Sequence, residues 1–578
     1  MATLPLAPPA DSRIRRIAPA WTVQTAISLV VVVGVLIPIV PLLYASVRDR
    51  PVYEAGGVFT LAPYRQLFAD PAFWQSVRNT LEFAGIATVF AVGIGAAAAL
   101  VCARTDVLGR RAWSRLLLAP LLLPPLGVIL GWNALYGPGG YATSFVTTTL
   151  HIPLNLTSVP GMSVLGAVIG TPVAFLICQA ALANLDPSLE NAARSAGARP
   201  LRVLTRVVLP MLRPALLNAA LLIFTLSVES LGIALILGSP TGHDFVASYL
   251  YNTWSNSATI DPGAVSAGAM LLLAFAAVLL VLRRVLLGSE ARFVTVTGRG
   301  RAAHSLIELA RPWRIALGAL IGVYLAITTL LPLIALALQS SVSVLTPLIA
   351  PWREWTAANW RQLGQPDYVD SIRNSLEIAA IGAVATTAVV ALATAVAHRS
   401  TFRAGRFLQF VMLFPRSMPG IIVGIGFFWA FVLVNPPGGA MLNSIWGIML
   451  ALSVRSLTLA YLVMYPAFTA VGESLDHAAR SAGAGWWTTT TRIVLPIVRP
   501  ALLASFILLF VSILNDYDPA LFLVSPGNEI MGVTMIDSLK QGSAGPAAAM
   551  AMVQVAATLL ALAVGTRLFR AAERRGHA

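Results

Sequence analysis

Charge is what this sequence has least of. Only 11% of its 578 residues are Asp, Glu, Lys or Arg, against 57% hydrophobic, and the mean hydropathy is +0.79. A soluble chain of this length needs far more charge to cover its surface, so the composition excludes that class and leaves an integral membrane protein. Cysteine is also scarce. Cys102 and Cys178 lie far apart in apolar runs and read as packing residues, not as a disulfide framework or a zinc site. The six histidines are scattered with no pair at metal-ligand spacing, so no metal ligand is assigned. The chain has a single lysine, Lys540, in SLKQG. A Walker A phosphate loop needs a lysine after its glycines, so this chain is not an ATPase of the usual type. No nucleophile–base arrangement stands out either, and no catalytic residue is assigned.

What the sequence has in quantity is apolar runs. A bilayer core of about 30 Å takes roughly 20 apolar residues per helix. Runs of that length lie near 22–46, 80–104, 115–137, 161–184, 213–237 and 264–287, then near 313–339, 376–398, 408–434, 442–468, 499–524 and 546–568. The expected fold class is therefore all-α, with twelve transmembrane helices. The first run follows Arg13, Arg15 and Arg16 as in a signal peptide, but it is too long and lacks a convincing small-residue cleavage site, so it reads as a retained anchor.

The formal charge of +15 is topological rather than a nucleic-acid footprint. With the N-terminus inside, the cytoplasmic segments hold 30 of the 39 Lys and Arg, including Arg104 to Arg115, Arg399 to Arg416 and Arg567 to Arg575. Short loops rich in Lys and Arg stay on the cytoplasmic side. Both termini are thus expected in the cytoplasm.

The chain also repeats itself. ENAARSAGARPLRVLTRVVLPMLRPAL (Glu190 to Leu216) returns as DHAARSAGAGWWTTTTRIVLPIVRPAL (Asp476 to Leu502), so Gly197 meets Gly483 and Pro210 meets Pro496. Upstream, SVRNTLE (Ser76 to Glu82) matches SIRNSLE (Ser371 to Glu377), and Pro120 and Pro124 meet Pro415 and Pro419. Two six-helix units are fused head to tail. An even span number makes them parallel repeats, related by an axis along the membrane normal. The expected divisions are a cytoplasmic segment 1–21, a first domain 22–287, a linker 288–312, a second domain 313–568 and a tail 569–578. The GRG at Gly298 to Gly300 reads as flexible linker.

Each repeated phrase reads as a short cytoplasmic helix. Asp186 and Pro187 start the first copy, alanines keep one side smooth, and Gly197 or Gly483 ends it. A second helix follows, which Pro210 or Pro496 is expected to interrupt before the next span. Small residues allow close approach by another backbone, so two such loops at matched depth suit docking to a partner protein.

Here the chain resembles the permease subunits of type I bacterial ABC importers, whose pattern is E-A-A, three residues, G, nine residues, I-x-L-P. The first copy has Asn191, Ala192, Ala193, Gly197, then Val207-x-Leu209-Pro210; the second has His477, Ala478, Ala479, Gly483, then Ile493-x-Leu495-Pro496. Neither has Glu in the first position, and an acid stands one residue earlier in each, Glu190 and Asp476. The resemblance covers essentially the whole chain. It implies that both loops are coupling helices seated on two copies of a separate ABC ATPase subunit. ATP and Mg would be bound in that partner, with no cofactor in this chain, and an external solute-binding protein would deliver the cargo. Fused double-length permeases are similar to the ferric-iron branch, with thiamine, 2-aminoethylphosphonate or another small polar solute as the alternative cargo. An ion-gradient-driven transporter of twelve helices is the rival from another class; the duplicated loop argues against it.

Charges within spans are expensive and face a pathway or a partner. Glu229 meets Asn515 across the repeat, beside Asp516 and Asp518, and Arg455 stands where the first half has Ile169. These five are candidates for a polar pathway or gate. A structural network, with Arg455 paired to one acid, and shallow solvated aspartates are the alternatives. Glu82 and Glu377, with Arg78 and Arg373, read first as a hydrogen-bonded helix start.

Overall fold

The computed structural model describes residues 20–54, 56–256, 262–287, 307–400, 404–434 and 437–576. Within them the chain is helical, and extended pairing is confined to isolated bridges such as Arg48 with Phe59. Nine helices are long and apolar enough to cross a membrane, and three bent pairs bring the number to twelve if each pair is one span. The basic segment before residue 20 and the GRG of the linker lie outside the described residues.

Polar punctuation sets the ends of the spans. Asp70 caps helix Pro71–Arg104 by accepting from the Ala72 N–H at 2.9 Å, and Ser158 caps Val159–Asn184 through the Gly161 N–H at 3.2 Å. In both helices a proline occupies the first turn, where a missing N–H costs nothing. Helices Pro71–Arg104 and Val159–Asn184 pack together in the first half, as Pro366–His398 and Ile445–Ala470 do in the second.

Four of the expected spans are not single straight helices. The run near 115–137 divides into Arg110–Leu122 and Pro125–Thr149, bent by 98°, and the run near 408–434 divides into Gly405–Arg416 and Gly420–Leu433, bent by 108°. The cause is shared. Leu123 precedes Pro124, and Met418 precedes Pro419, and a residue before proline is pushed out of the helical region. Leu123 (ψ 143°) and Met418 (ψ 115°) are extended accordingly. The run near 213–237 stops at Val228, and the run near 499–524 stops at Asn515.

Nor does Pro210 interrupt its helix as the sequence suggested. Pro200–Val228 runs through it, because a π-helical turn at Leu204–Val208 absorbs the lost hydrogen bond. The second half has the same π turn at Thr490–Val494, yet bends by 75° at Val498, between Trp486–Ile497 and Arg499–Asn515. Its break thus lies two residues beyond Pro496.

The halves exchange their first spans. The C-terminal part of the first, Ile39–Ser46, packs on Gly420–Leu433 of the second half, and Leu331–Ser341 packs on Pro125–Tyr136 of the first. Two matched glycines allow this crossing. A Cβ on Gly131 would stand 2.4 Å from the Pro332 carbonyl oxygen, and one on Gly426 would stand 2.0 Å from that of Pro38. No residue but glycine fits so close a backbone approach. Trp132 donates its ring N–H to the Thr328 carbonyl at 3.0 Å, locking the same contact.

Candidate functional site: coupling loops and an interfacial charge cluster

Each repeated phrase folds as its residues dictate. Helix Pro187–Ser195 is capped by Asp186, which accepts from the Ser188 N–H at 2.9 Å; its counterpart Glu473–Ser481 begins after Gly472. Both end in the same left-handed glycine turn. Gly197 and Gly483 have φ +80°, and the next N–H, of Ala198 or Ala484, reaches back to the carbonyl of Ala193 or Ala479 at 3.0 or 2.9 Å. Asn191, Ala192 and Gly197 are exposed, as are His477, Ala478 and Gly483, whereas Ala479 is buried. Pro210 and Pro496 lie beyond the π turns, in the helices that lead into the membrane.

The acids one residue earlier point inward. Arg104, at the C-terminal end of Pro71–Arg104, binds Glu190 at 3.0 Å and donates to the Leu182 carbonyl at 2.8 Å. Arg399, its repeat mate, binds Asp476 at 2.7 Å and donates to the carbonyls of Phe468 and Val471 at 3.0 and 2.8 Å. Both arginine side chains are almost wholly buried, 3% and 5% exposed, so each loop is riveted to the end of a long span. Sequence reasoning counted both arginines only as topological charge and missed their pairing with the loop acids, although their matching positions in the repeat were a usable signal. It also missed matched apolar side chains that these loops expose. Leu189 and Leu475 are 47% and 40% exposed, and Leu201 is paired by position with Trp487. Beside the second loop a cavity of about 550 Å³ opens among Trp21, His398, Arg399, Asp476, Arg480 and Trp486.

The charged residues within the spans come together between the halves. Arg455, on Ile445–Ala470, contacts Asp516 at 2.5 Å and Asp518 at 3.4 Å, and its other terminal nitrogen stands 3.8 Å from Glu229. Glu229 follows the end of Pro200–Val228, and Asp516 follows Asn515 in an extended conformation, so the two broken spans deliver these acids to one place. Asn515 turns aside and accepts from the Thr558 hydroxyl at 3.3 Å. Tyr517 lies against Gly232 across the interface, where a Cβ would stand 2.1 Å from the phenol oxygen. The alternative of well-solvated aspartates is not what the structure has, since both are only 16% exposed. Among the described residues no group of three His, Cys, Asp or Glu is placed to hold a metal ion. Near the N-terminal end of Pro366–His398, Arg373 and Glu377 form an exposed ion pair one helical turn apart, at 2.7 Å.

The chain matches the family described as "binding-protein-dependent transport system inner membrane component" twice, over residues 91–288 and 373–576. It is 24% identical to a putative ferric transport system permease of Haemophilus influenzae, over 82% of this chain and 74% of the relative. It is 23% identical to a ferric transport system permease of Actinobacillus pleuropneumoniae, over 90% of this chain and 75% of the relative. A putative 2-aminoethylphosphonate transport system permease of Salmonella typhi is 27% identical over 33% of this chain. A double match over most of the length, on a chain of apolar spans with two like loops, leaves one conclusion: this protein belongs to the binding-protein-dependent inner-membrane permeases of ABC importers, in the fused double-length form.

Proposed function

We propose that this chain carries ferric iron inward by alternating access, driven by two copies of an ABC ATPase subunit, one on each coupling loop. ATP and Mg are held in those subunits, both termini lie in the cytoplasm, and a binding protein delivers the cargo from outside. The observation that carries this reading is the matched pair of loops. Each is rigid at its base through a buried arginine–carboxylate pair, closed by a left-handed glycine, and topped by exposed Leu189 or Leu475. A rigid lever with an apolar tip suits transmission of force from a closing ATPase dimer. Ferric iron is favoured as cargo because the relatives named for it align over four-fifths of this chain or more, against a third for the aminophosphonate relative. Native mass spectrometry of the purified complex tests the stoichiometry, with two ATPase subunits per chain expected. Calorimetry of the cognate binding protein against ferric iron, thiamine and 2-aminoethylphosphonate tests the cargo. An ATPase-free transporter that accumulates solute on an ion gradient would overturn the reading.

A further inference from the structure

The charge cluster between the halves is unbalanced. Three carboxylates, Glu229, Asp516 and Asp518, face Arg455, and Arg416 also acts on Glu229 electrostatically, so acids outnumber cations three to two. The guanidinium is committed to the aspartates and stands beyond hydrogen-bond reach of Glu229, at 3.8 Å. Glu229 is 9% exposed, and its Oε1 is buried with no hydrogen-bond partner. A buried carboxylate oxygen without a donor is an acceptor that a positive group can fill.

We infer that Glu229, with Asp516 and Asp518, forms a charge filter through which a cationic solute crosses between the halves, Arg455 serving as its resident counter-ion. This rests on the importer reading above and adds the residues that select the cargo by charge. A cation arriving beside Glu229 satisfies the free oxygen and pushes Arg455 towards the aspartates, with which it already makes its shorter contacts. An anion meets three carboxylates in a site of low dielectric. The filter's three carboxylates are not placed to hold a metal ion together. The filter is also single. The matching positions of the first half are Ile169, Ser230 and Gly232, and the space beside Ile169 is an apolar cavity of about 120 Å³.

The test uses the complete transporter, with its ATPase and binding protein, in proteoliposomes. Radiolabelled ferric iron and thiamine serve as cationic probes and 2-aminoethylphosphonate as the anionic one. Glu229→Gln keeps the shape and removes the charge; Glu229→Asp keeps the charge. Cation uptake is expected to fall at least tenfold in Glu229→Gln, mostly through a raised KM, and to recover at least threefold from that level in Glu229→Asp. Asp518→Asn, which removes charge at a longer contact, is expected to lower uptake in the same direction and covers the case in which Glu229→Gln does not assemble. Wild-type uptake in Glu229→Gln, or in Asp518→Asn where only that variant assembles, overturns the filter. So does wild-type import of the phosphonate in place of a cation. Import of thiamine instead of iron overturns the ferric reading and leaves the filter standing.

Discussion

The two halves are alike in their repeated loops and unlike at the charge cluster between them. Arg104–Glu190 and Arg399–Asp476 are the same device built twice, down to the glycine that ends each loop. At mid-chain the second half has Arg455, Asp516 and Asp518 where the first has Ile169, Ser230 and Gly232. The difference separates two demands. On the function proposed above, two identical ATPase subunits need identical handles, which keeps the loops matched. The proposed filter is single and has no such requirement, so one half is free to supply its polar lining.

The most damaging change we expect is to make the halves alike at mid-chain. Arg455→Ile installs the residue of the first half and strands three buried carboxylates. Breaking one side of a buried ion pair costs about 3–5 kcal/mol. Thermal unfolding in detergent is expected to show a clear drop, whereas Ile169→Val, its mate, costs only about 1 kcal/mol. Equal melting of Arg455→Ile and wild type would mean that the acids are solvated.

Next come the rivets. Arg104→Ala and Arg399→Ala each leave an acid and at least one carbonyl unpaired, but not equally. Glu190 is 6% exposed, while Asp476 is 18% exposed and borders the cavity beside the second loop, where water can reach it. We expect a loss of about 3 kcal/mol or more for Arg104→Ala and a smaller one for Arg399→Ala, with neither restored by Lys, which lacks the guanidinium fork. Recovery of the ATPase with the purified permease measures it; the reverse ranking would break the argument from exposure.

Much of this was legible in the sequence. Apolar length marked the spans, and the glycines and Asp186 marked the loops, because local chemistry decides both. The breaks at Val228 and Asn515 were not legible, since an apolar run such as LGIALIL continues past Glu229 and hydropathy carries no direction. The Leu-Pro-Pro at 123–125 did carry its signal, and it was read as interior to a span. Arg104 and Glu190 lie 86 residues apart, so no local pattern joins them.

The glycine turns should matter less than the rivets. A Cβ at Gly197 or Gly483 would meet nothing within 4 Å, so the cost of Ala is the left-handed backbone alone, about 1 kcal/mol at each. A β-branched residue costs more, and Gly197→Val and Gly483→Val are expected to weaken coupling of ATP hydrolysis to uptake to similar extents without blocking membrane insertion. Normal transport in both would remove these glycines from the docking surface.

The smallest effect distinguishes the halves once more, at the linker. Asp106, just past the end of Pro71–Arg104, accepts from the Leu309 N–H at 2.9 Å and pairs with Arg314, tying the end of the linker to the first half. Thr401 stands at the matching position of the second half. Burial alone would raise the Asp106 carboxyl, but the Leu309 N–H and the Arg314 guanidinium outweigh it and hold it below the usual aspartate range. A depressed carboxyl contributes its full stabilisation above the unfolded value and loses it as pH falls through the folded one. Protection of the Leu309 amide from hydrogen exchange, corrected for the intrinsic rate, should therefore be flat near neutrality and decline only at acidic pH, below the ordinary aspartate range. Asp106→Asn should remove that decline and lower protection at every pH. A decline that persists in Asp106→Asn would assign the linker's anchorage to another group, and the asymmetry at this end of the molecule with it.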